Sequence, residues 1–312
     1  MERILITPRS FGKTDPSPFA LIREAGYDIV QNSSGSILSK EQMLDAIPSV
    51  CGIIIGVDPL DRDVLQAGRQ IRAIAKYGVG TDNIDVAYAR ERGIPLSVTA
   101  GANSNAVADY AFALMLACAR RVCEIDARCH RRDWSKIIGA DLCGKTLGIL
   151  GLGAIGKGVA KRARGFDMKI LAFDVFWDDV FADMNSIRRA EPMEIFSECD
   201  FISLHLPLNP ETQGIVDTEA FCRMKQNAVL INTARGGLVD ETALVEALSD
   251  HQIMAAGIDV FETEPPQNAA LYTLPNLIMG SHCAAATTGA AETMSLMAAQ
   301  NLLQDLKKNR RP

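Results

Sequence analysis

Short runs rich in Val, Ile, Leu and Ala recur along this chain, each followed by a stretch with helical spacing, and this alternation restricts the fold more than any other feature. In the first hundred residues the runs are RILIT (3–7), YDIV (27–30), GIIIG (52–56), IRAIAKYG (71–78) and IPLSV (94–98), with helical patterns near 17–25, 40–47, 61–68 and 84–92. A second series holds six: TLGILG (146–151), KILAFD (169–174), FISLHL (201–206), AVLINT (228–233), MAAGIDV (254–260) and NLIMG (276–280). Strands joined by crossover helices pair in parallel, and nearly continuous apolar runs suit parallel strands covered on both faces. The chain is too long for one hydrophobic core, so the expected class is α/β with two doubly wound parallel-sheet domains.

Between the two series lies AVADYAFALMLACA (106–119), interrupted by Asp109 and short of the roughly 20 residues that span a bilayer. It predicts a helix buried on most sides, with Asn103 or Ser104 as N-cap. No tract rich in Pro, Gly or Ser separates the halves, so the division falls at this helix start, near residue 100. A last helix over about 287–308 ends in KKNRRP, read as a solvated basic tail.

Charge and cysteine usage exclude several functions. With 32 basic against 38 acidic residues the net charge is −6, which offers no cationic footprint for a phosphate backbone, so no nucleic-acid partner is expected. The eight cysteines (51, 118, 123, 129, 143, 199, 222 and 283) form no CxxC pair, which argues against a zinc cage and for reduced thiols in the cytoplasm. The start, MERILITPRS, has an acid at position 2 and only four apolar residues before a proline, unlike a signal peptide. Neither a metal nor a membrane partner is expected.

Gly151-Leu152-Gly153-Ala154-Ile155-Gly156 follows an apolar strand and opens a helical stretch. In that setting Gly151 makes a tight turn, Gly153 lets the backbone approach a pyrophosphate and Gly156 lets helix and strand pack closely, while the helix start offers amides and a positive dipole end to phosphates. A bare GxGxxG is a weak signal, but the next strand ends in Asp174, 18 residues beyond Gly156, where a carboxylate can accept from ribose hydroxyls. The same charge repels a 2′-phosphate, and Val175 and Phe176 supply no cation, so the dinucleotide expected is NAD.

Functional groups of open α/β sheets gather beyond the carboxyl ends of the strands. Arg235 follows AVLINT, Glu264 follows MAAGIDV and His282 follows NLIMG. Reduction of a 2-oxo acid needs a cation for the substrate, an acid for the forming alkoxide and a carboxylate to keep that acid charged, and these three residue types supply them. His205, in LHLPLNP, competes for the acid role, and spacing alone does not choose between the two histidines.

Long blocks in order, AKYGVGTDNID (75–85), GANSNAVADYA (101–111), LGILGLGAIG (147–156), SLHLPLNPETQGIV (203–216), LINTARGGLVDETAL (230–244), GIDVFETEPP (257–266) and SHCAAATTGAAE (281–292), make the chain resemble the D-isomer-specific 2-hydroxyacid dehydrogenase family over essentially its whole length. The resemblance implies a Rossmann NAD-binding domain, residues 101–284, inserted in a flavodoxin-like substrate domain, residues 1–100 and 285–312. It implies Arg235 for the substrate, Glu264 to polarise the histidine and His282, rather than His205, as acid and base. By the same carry-over Ala154, Ile155, Asp174, Pro207, Thr233, Ala234 and Asp259 contact the cofactor, Asp259 facing the nicotinamide amide. Val79 and Gly80 offer amides to the substrate carboxylate, with Lys76 a nearby cation. A homodimer through the long helix is implied as well. The likeness is strongest to phosphoglycerate dehydrogenase-like members, though the chain ends just after its last helix, where a regulatory domain would follow in some relatives. Gly56 and Val57 stand where phosphoglycerate-using relatives tend to carry an Arg, which leaves open 3-phosphoglycerate, glyoxylate, hydroxypyruvate, lactate-type and bulkier acids. The alternative to an enzyme is an NAD-sensing, corepressor-like binding protein.

Overall fold

A computed structural model describes residues 1–309, and the end of the basic tail, residues 310–312, lies outside the described residues. The chain divides into two compact units: Met1–Asn103 together with the chain from Ala286 onward, and Ser104–Ala285. Among the described residues each unit is built on one sheet, and every strand pairing is parallel.

The smaller unit holds β1 (Arg3–Ile6), β2 (Asp28–Gln31), β3 (Gly52–Ile55), β4 (Ala73–Lys76) and β5 (Leu96–Val98) in the order β2-β1-β3-β4-β5, the flavodoxin-like arrangement. Its central strands are apolar because both faces are covered. Met43, Val64, Leu65 and Ala89, from the helices Lys40–Ala46, Arg62–Ala67 and Val86–Glu91, pack on one face. Ile22 from Ser17–Glu24 and Ala298, Leu302 and Leu306 from Thr288–Lys308 pack on the other.

The larger unit holds β6 (Thr146–Leu150), β7 (Lys169–Phe173), β8 (Ile187–Arg189), β9 (Phe201–Leu204), β10 (Val229–Asn232), β11 (Ala255–Ile258) and β12 (Leu277–Met279), ordered β12-β11-β10-β9-β6-β7-β8. The six apolar runs account for all of these except β8, a correction to the six-stranded expectation. β8 is an edge strand of sequence IRR with both arginines exposed, so it carries no apolar run to read. The order reverses between β6 and β9, the switch point at which ligands of such sheets bind.

The apolar helix runs Ser104–Arg120 and packs on the helix Ala154–Ala163 and on β10 and β11. Ala108, Ala111, Phe112, Leu114 and Met115 are buried within this unit, so the helix's apolar character follows from its own core and needs no second subunit to explain it. Gly158 permits the close helix contact, since a Cβ there would lie 3.1 Å from Ala108 Cβ. Asp109, at the polar edge, pairs with Arg162 at 2.6 Å. The helix that follows, Val122–His130, has no buried residue and was not foreseen in the sequence.

Candidate active site

The glycine turn after β6 has the geometry its spacing requires. Gly151 holds φ +100°, and a Cβ on it would meet the His205 carbonyl of the neighbouring strand end at 2.6 Å. A Cβ on Gly156 would meet the Gly151 oxygen at 2.0 Å, whereas beside Gly153 there is open space. Gly153 is the N-cap of the helix Ala154–Ala163 and supplies no side-chain cap, so the amides of Ala154, Ile155 and their neighbours begin the helix without an internal acceptor. Asp174, just past β7, accepts from the Leu152 amide at 2.6 Å through one oxygen and from the Phe176 amide at 2.8 Å through the other. These two bonds fix the carboxylate beside the glycine turn and leave lone pairs for further donors. Val175 and Phe176 beyond it are exposed and apolar.

At the ends of the next strands two buried polar atoms have no hydrogen-bond partner among the described residues, Thr233 Oγ1 and His205 Nδ1. Uncompensated polar atoms are costly in an interior, and at the mouth of a switch point they fit a ligand's polar groups. The glycine turn, the uncapped helix start, Asp174 and Thr233 therefore fit a dinucleotide. Pro207 sits in the exposed loop after β9, its carbonyl accepting from Thr212 Oγ1 at 2.6 Å.

Asn232, the last residue of β10, is fully buried, and its side chain braces the loop that presents Arg235. Its Oδ1 accepts from the Ala234 amide at 3.0 Å and its Nδ2 donates to the Arg235 carbonyl at 2.8 Å. The Arg235 guanidinium donates to the Ala234 carbonyl at 2.6 Å. A buried amide in the last position of an apolar strand, as in LINTARGG, is the signal that could have found this brace.

Glu264 and His282 come together directly. His282 Nδ1 lies 2.9 and 3.1 Å from the two Glu264 oxygens, and Glu264 also accepts from the Phe261 amide at 3.2 Å. The hydrogen bond to Glu264 is the main force raising the His282 pKa above its ordinary value; burial and the positive charge of Arg235 oppose it, and the Asp259 charge adds to the rise. Burial works to raise the Glu264 carboxyl, but the His282 bond and charge, with the Phe261 amide and Arg235, bring it below its ordinary value. Arg235 thus acts electrostatically on both partners. The arrangement favours the imidazolium form and orients the ring through Nδ1, leaving Nε2 to exchange a proton.

His205 is different. Its Nε2 pairs with Ser203 Oγ at 2.9 Å, and burial pulls its pKa down to about 3, so it stays neutral at working pH and cannot serve as a cationic acid.

Asp259 follows β11 and is fully buried; its oxygens take the amides of Cys283 at 3.0 Å and Ala284 at 2.8 Å. In the smaller unit Gly78, at φ +127°, is pinned by Thr99. The Val79 and Gly80 amides that follow have no acceptor among the described residues. Lys76 is buried, its ammonium donating to Asn83 Oδ1 at 2.8 Å and to the Gly56 carbonyl, so it is tied into the loops of this sheet rather than held out from them.

Comparison with known proteins decides the family. The model of the D-isomer specific 2-hydroxyacid dehydrogenase NAD-binding domain matches residues 112–284. The chain belongs to this family. A glyoxylate reductase of Korarchaeum cryptofilum is 39% identical over 274 residues, 85% of this chain and 82% of that protein. A hydroxypyruvate reductase of Thermotoga maritima is 38% identical over 275 residues, 86% of this chain and 89% of that protein. A crystal structure of a Thermus thermophilus protein superimposes with a TM-score of 0.89 at 37% identity, over 99% of this chain and 98% of that one. This dehydrogenase is an NAD-dependent oxidoreductase acting between hydroxy and oxo acids. Among the described residues no cluster of His, Cys, Asp or Glu could hold a metal ion, and no helix is long and apolar enough to cross a membrane.

Proposed function

We propose that this dehydrogenase reduces a small, unphosphorylated 2-oxo acid, of the glyoxylate or hydroxypyruvate type, to the 2-hydroxy acid, the D-isomer where the product is chiral. The observation that carries the catalytic assignment is the Glu264–His282 contact of 2.9 Å in a loop beyond the large sheet. His282 donates its Nε2 proton to the alkoxide oxygen in reduction and, once neutral, takes the hydroxyl proton in oxidation. Glu264 keeps the ring oriented and charged, and Arg235 presents a fork that matches the substrate carboxylate. NAD, when bound, supplies hydride exchange at the carbon bearing the oxygen. Residues 101–284 are assigned as the cofactor domain: Gly151, Gly153, Ala154, Ile155 and Gly156 for the phosphates, Asp174 for the ribose, Pro207, Thr233, Ala234 and Asp259 for the nicotinamide end. Residues 1–100 and 285–312 are assigned as the substrate domain, with Val79 and Gly80 as amide donors to the carboxylate and Lys76 as a nearby cation.

The substrate class rests on charge. Val57, exposed at the end of β3, is apolar, and beside it stands the buried carboxyl of Asp58, while Lys76 is already bonded to Gly56 and Asn83. The end of β3 thus supplies no cation of its own for a phosphate. The relatives named glyoxylate and hydroxypyruvate reductase support the same reading. We propose a homodimer, because the helix Val122–His130 has no buried residue and Trp134 and Ile138 after it are 81% and 93% exposed, and a cytoplasmic location, which the eight free cysteines support. The test is NADH oxidation with glyoxylate, hydroxypyruvate, pyruvate and phosphohydroxypyruvate. Turnover on the first two with at least tenfold weaker kcat/KM on the phosphorylated acid is expected. Inactivity on the whole panel would overturn the reading.

A further inference from the structure

The loop that carries His282 is suspended from one residue. The His282 amide donates to the Asp259 carbonyl at 2.8 Å, the Cys283 amide to Asp259 Oδ1 at 3.0 Å and the Ala284 amide to Oδ2 at 2.8 Å. Three successive amides therefore end on a fully buried side chain and its own backbone. His282 itself holds φ +55°, in the left-handed region, so local preference opposes the conformation and these bonds must impose it. The approach is close enough that a Cβ on Gly280 would lie 2.1 Å from Asp259 Oδ1 and 2.9 Å from the Tyr110 hydroxyl.

Tyr110 closes this arrangement from the helix Ser104–Arg120. Cys283 Sγ lies 3.4 Å from its hydroxyl and 3.5 Å from Asp259 Oδ1. Neither Tyr110 nor Cys283 has a part in the proton transfer described above. We propose that Tyr110 and Cys283, acting through Asp259, are positioning residues that hold the His282 ring against Glu264. The inference rests on the assignment of His282 as acid and base. Burial pushes the Tyr110 phenol well above its ordinary range, so it stays a neutral hydrogen-bonding group beside the Asp259 carboxylate at any working pH. The charges acting on His282 are then Glu264 and Asp259, which favour the imidazolium, and Arg235, which opposes it. If the loop relaxes, the contact with Glu264 lengthens first, because it is made by the ring and not by the backbone.

The test measures kcat, KM for NADH and the pH profile of oxo-acid reduction for Tyr110→Phe, Cys283→Ser, Cys283→Ala and His282→Gln in the full chain, with thermal midpoints alongside. Tyr110→Phe should lower kcat about five- to tenfold, leave KM for NADH within about twofold, and move the alkaline limb of the profile down by roughly half a pH unit or more. Cys283→Ala should move the limb the same way, and Cys283→Ser, which keeps a hydrogen-bonding group, should hold it in place. An alkaline limb unmoved in Tyr110→Phe overturns the inference whatever happens to kcat or the thermal midpoint, because a merely structural role changes those alone. Loss of turnover in His282→Gln with an unmoved limb in Tyr110→Phe sinks this inference only, whereas retained turnover in His282→Gln overturns it together with the catalytic assignment.

Discussion

The carboxyl ends of the two sheets are built to opposite rules. In the smaller unit the polar groups around β1 and β3 close on one another, although Asn103 Oδ1 at the unit's end is buried without a partner among the described residues: Asp58 takes the Thr7 hydroxyl and the Leu38 amide, Thr7 takes the Gly56 amide, and Asn83 donates to the carbonyls of Gly56 and Asp58. In the larger unit the corresponding edge keeps groups open or strained, with Thr233 Oγ1 and His205 Nδ1 unpartnered among the described residues and His282 at a positive φ. A satisfied network rigidifies a shape, while an open one keeps interaction energy for a ligand. The difference agrees with the proposed division, in which proton chemistry and cofactor binding belong to the larger sheet and the smaller one offers shape and the two backbone amides of Val79 and Gly80.

The contrast breaks most visibly at His282. His282→Ala should lower kcat by about 10²–10⁴, the usual worth of a positioned acid, with NAD affinity within a few-fold in a titration. A kcat within tenfold of the parent would move the acid elsewhere. Next in size is Glu264→Gln. Reduction needs the imidazolium, so its rate is full below the His282 pKa and falls as pH rises through it, while oxidation needs the neutral ring and rises over the same window. Removing the Glu264 charge should bring that pKa down by about 1–3 units, so reduction near neutrality weakens and both limbs move to lower pH. A pH–rate profile that keeps its position would refute the coupling.

Much of this architecture was legible in the sequence because parallel strands covered on both faces must be apolar throughout. GIIIG and AVLINT show that plainly, and β3 and β10 are buried at every position. β8 was not legible, since an edge strand needs no apolar run and Arg188 and Arg189 read as surface. The glycine turn could be read glycine by glycine, because backbone clashes as short as 2.0 Å forbid anything larger at Gly156. The choice between His205 and His282 could not be made from spacing, because both follow strands. Burial separates the two, pulling His205 down to about 3 while Glu264 lifts His282, and this favours the proposed role of His282. Burial of a ring is a property of packing from several elements, and no local pattern encodes it. Nor could the sequence show that Tyr110 and Cys283, 173 positions apart, meet at 3.4 Å.

Two smaller effects sharpen the comparison, one on each side. In the larger unit Asp174→Ala removes the carboxylate proposed to accept from the ribose hydroxyls, and with it a charge that would repel a 2′-phosphate. Hydrogen bonds to a charged group are worth about 1.5–3 kcal/mol, so the preference for NAD over NADP should narrow by roughly ten- to hundredfold in kcat/KM. Unchanged selectivity would show that another group reads the ribose.

In the smaller unit Thr7→Val keeps the shape of a buried side chain and deletes its hydroxyl. The Asp58 carboxyl then loses a donor and the Gly56 amide its acceptor, both in a buried setting. Leaving a buried polar group unsatisfied costs about 1–3 kcal/mol, which should appear as a lowered thermal midpoint. The pH–rate profile should keep its position, because Thr7 bonds to Asp58 and Gly56 whereas the groups that set the His282 titration are Glu264, Asp259 and Arg235. A displaced pH limb with unchanged stability would reverse the division of labour, since it would tie the closed edge of the small sheet to the proton chemistry of the large one.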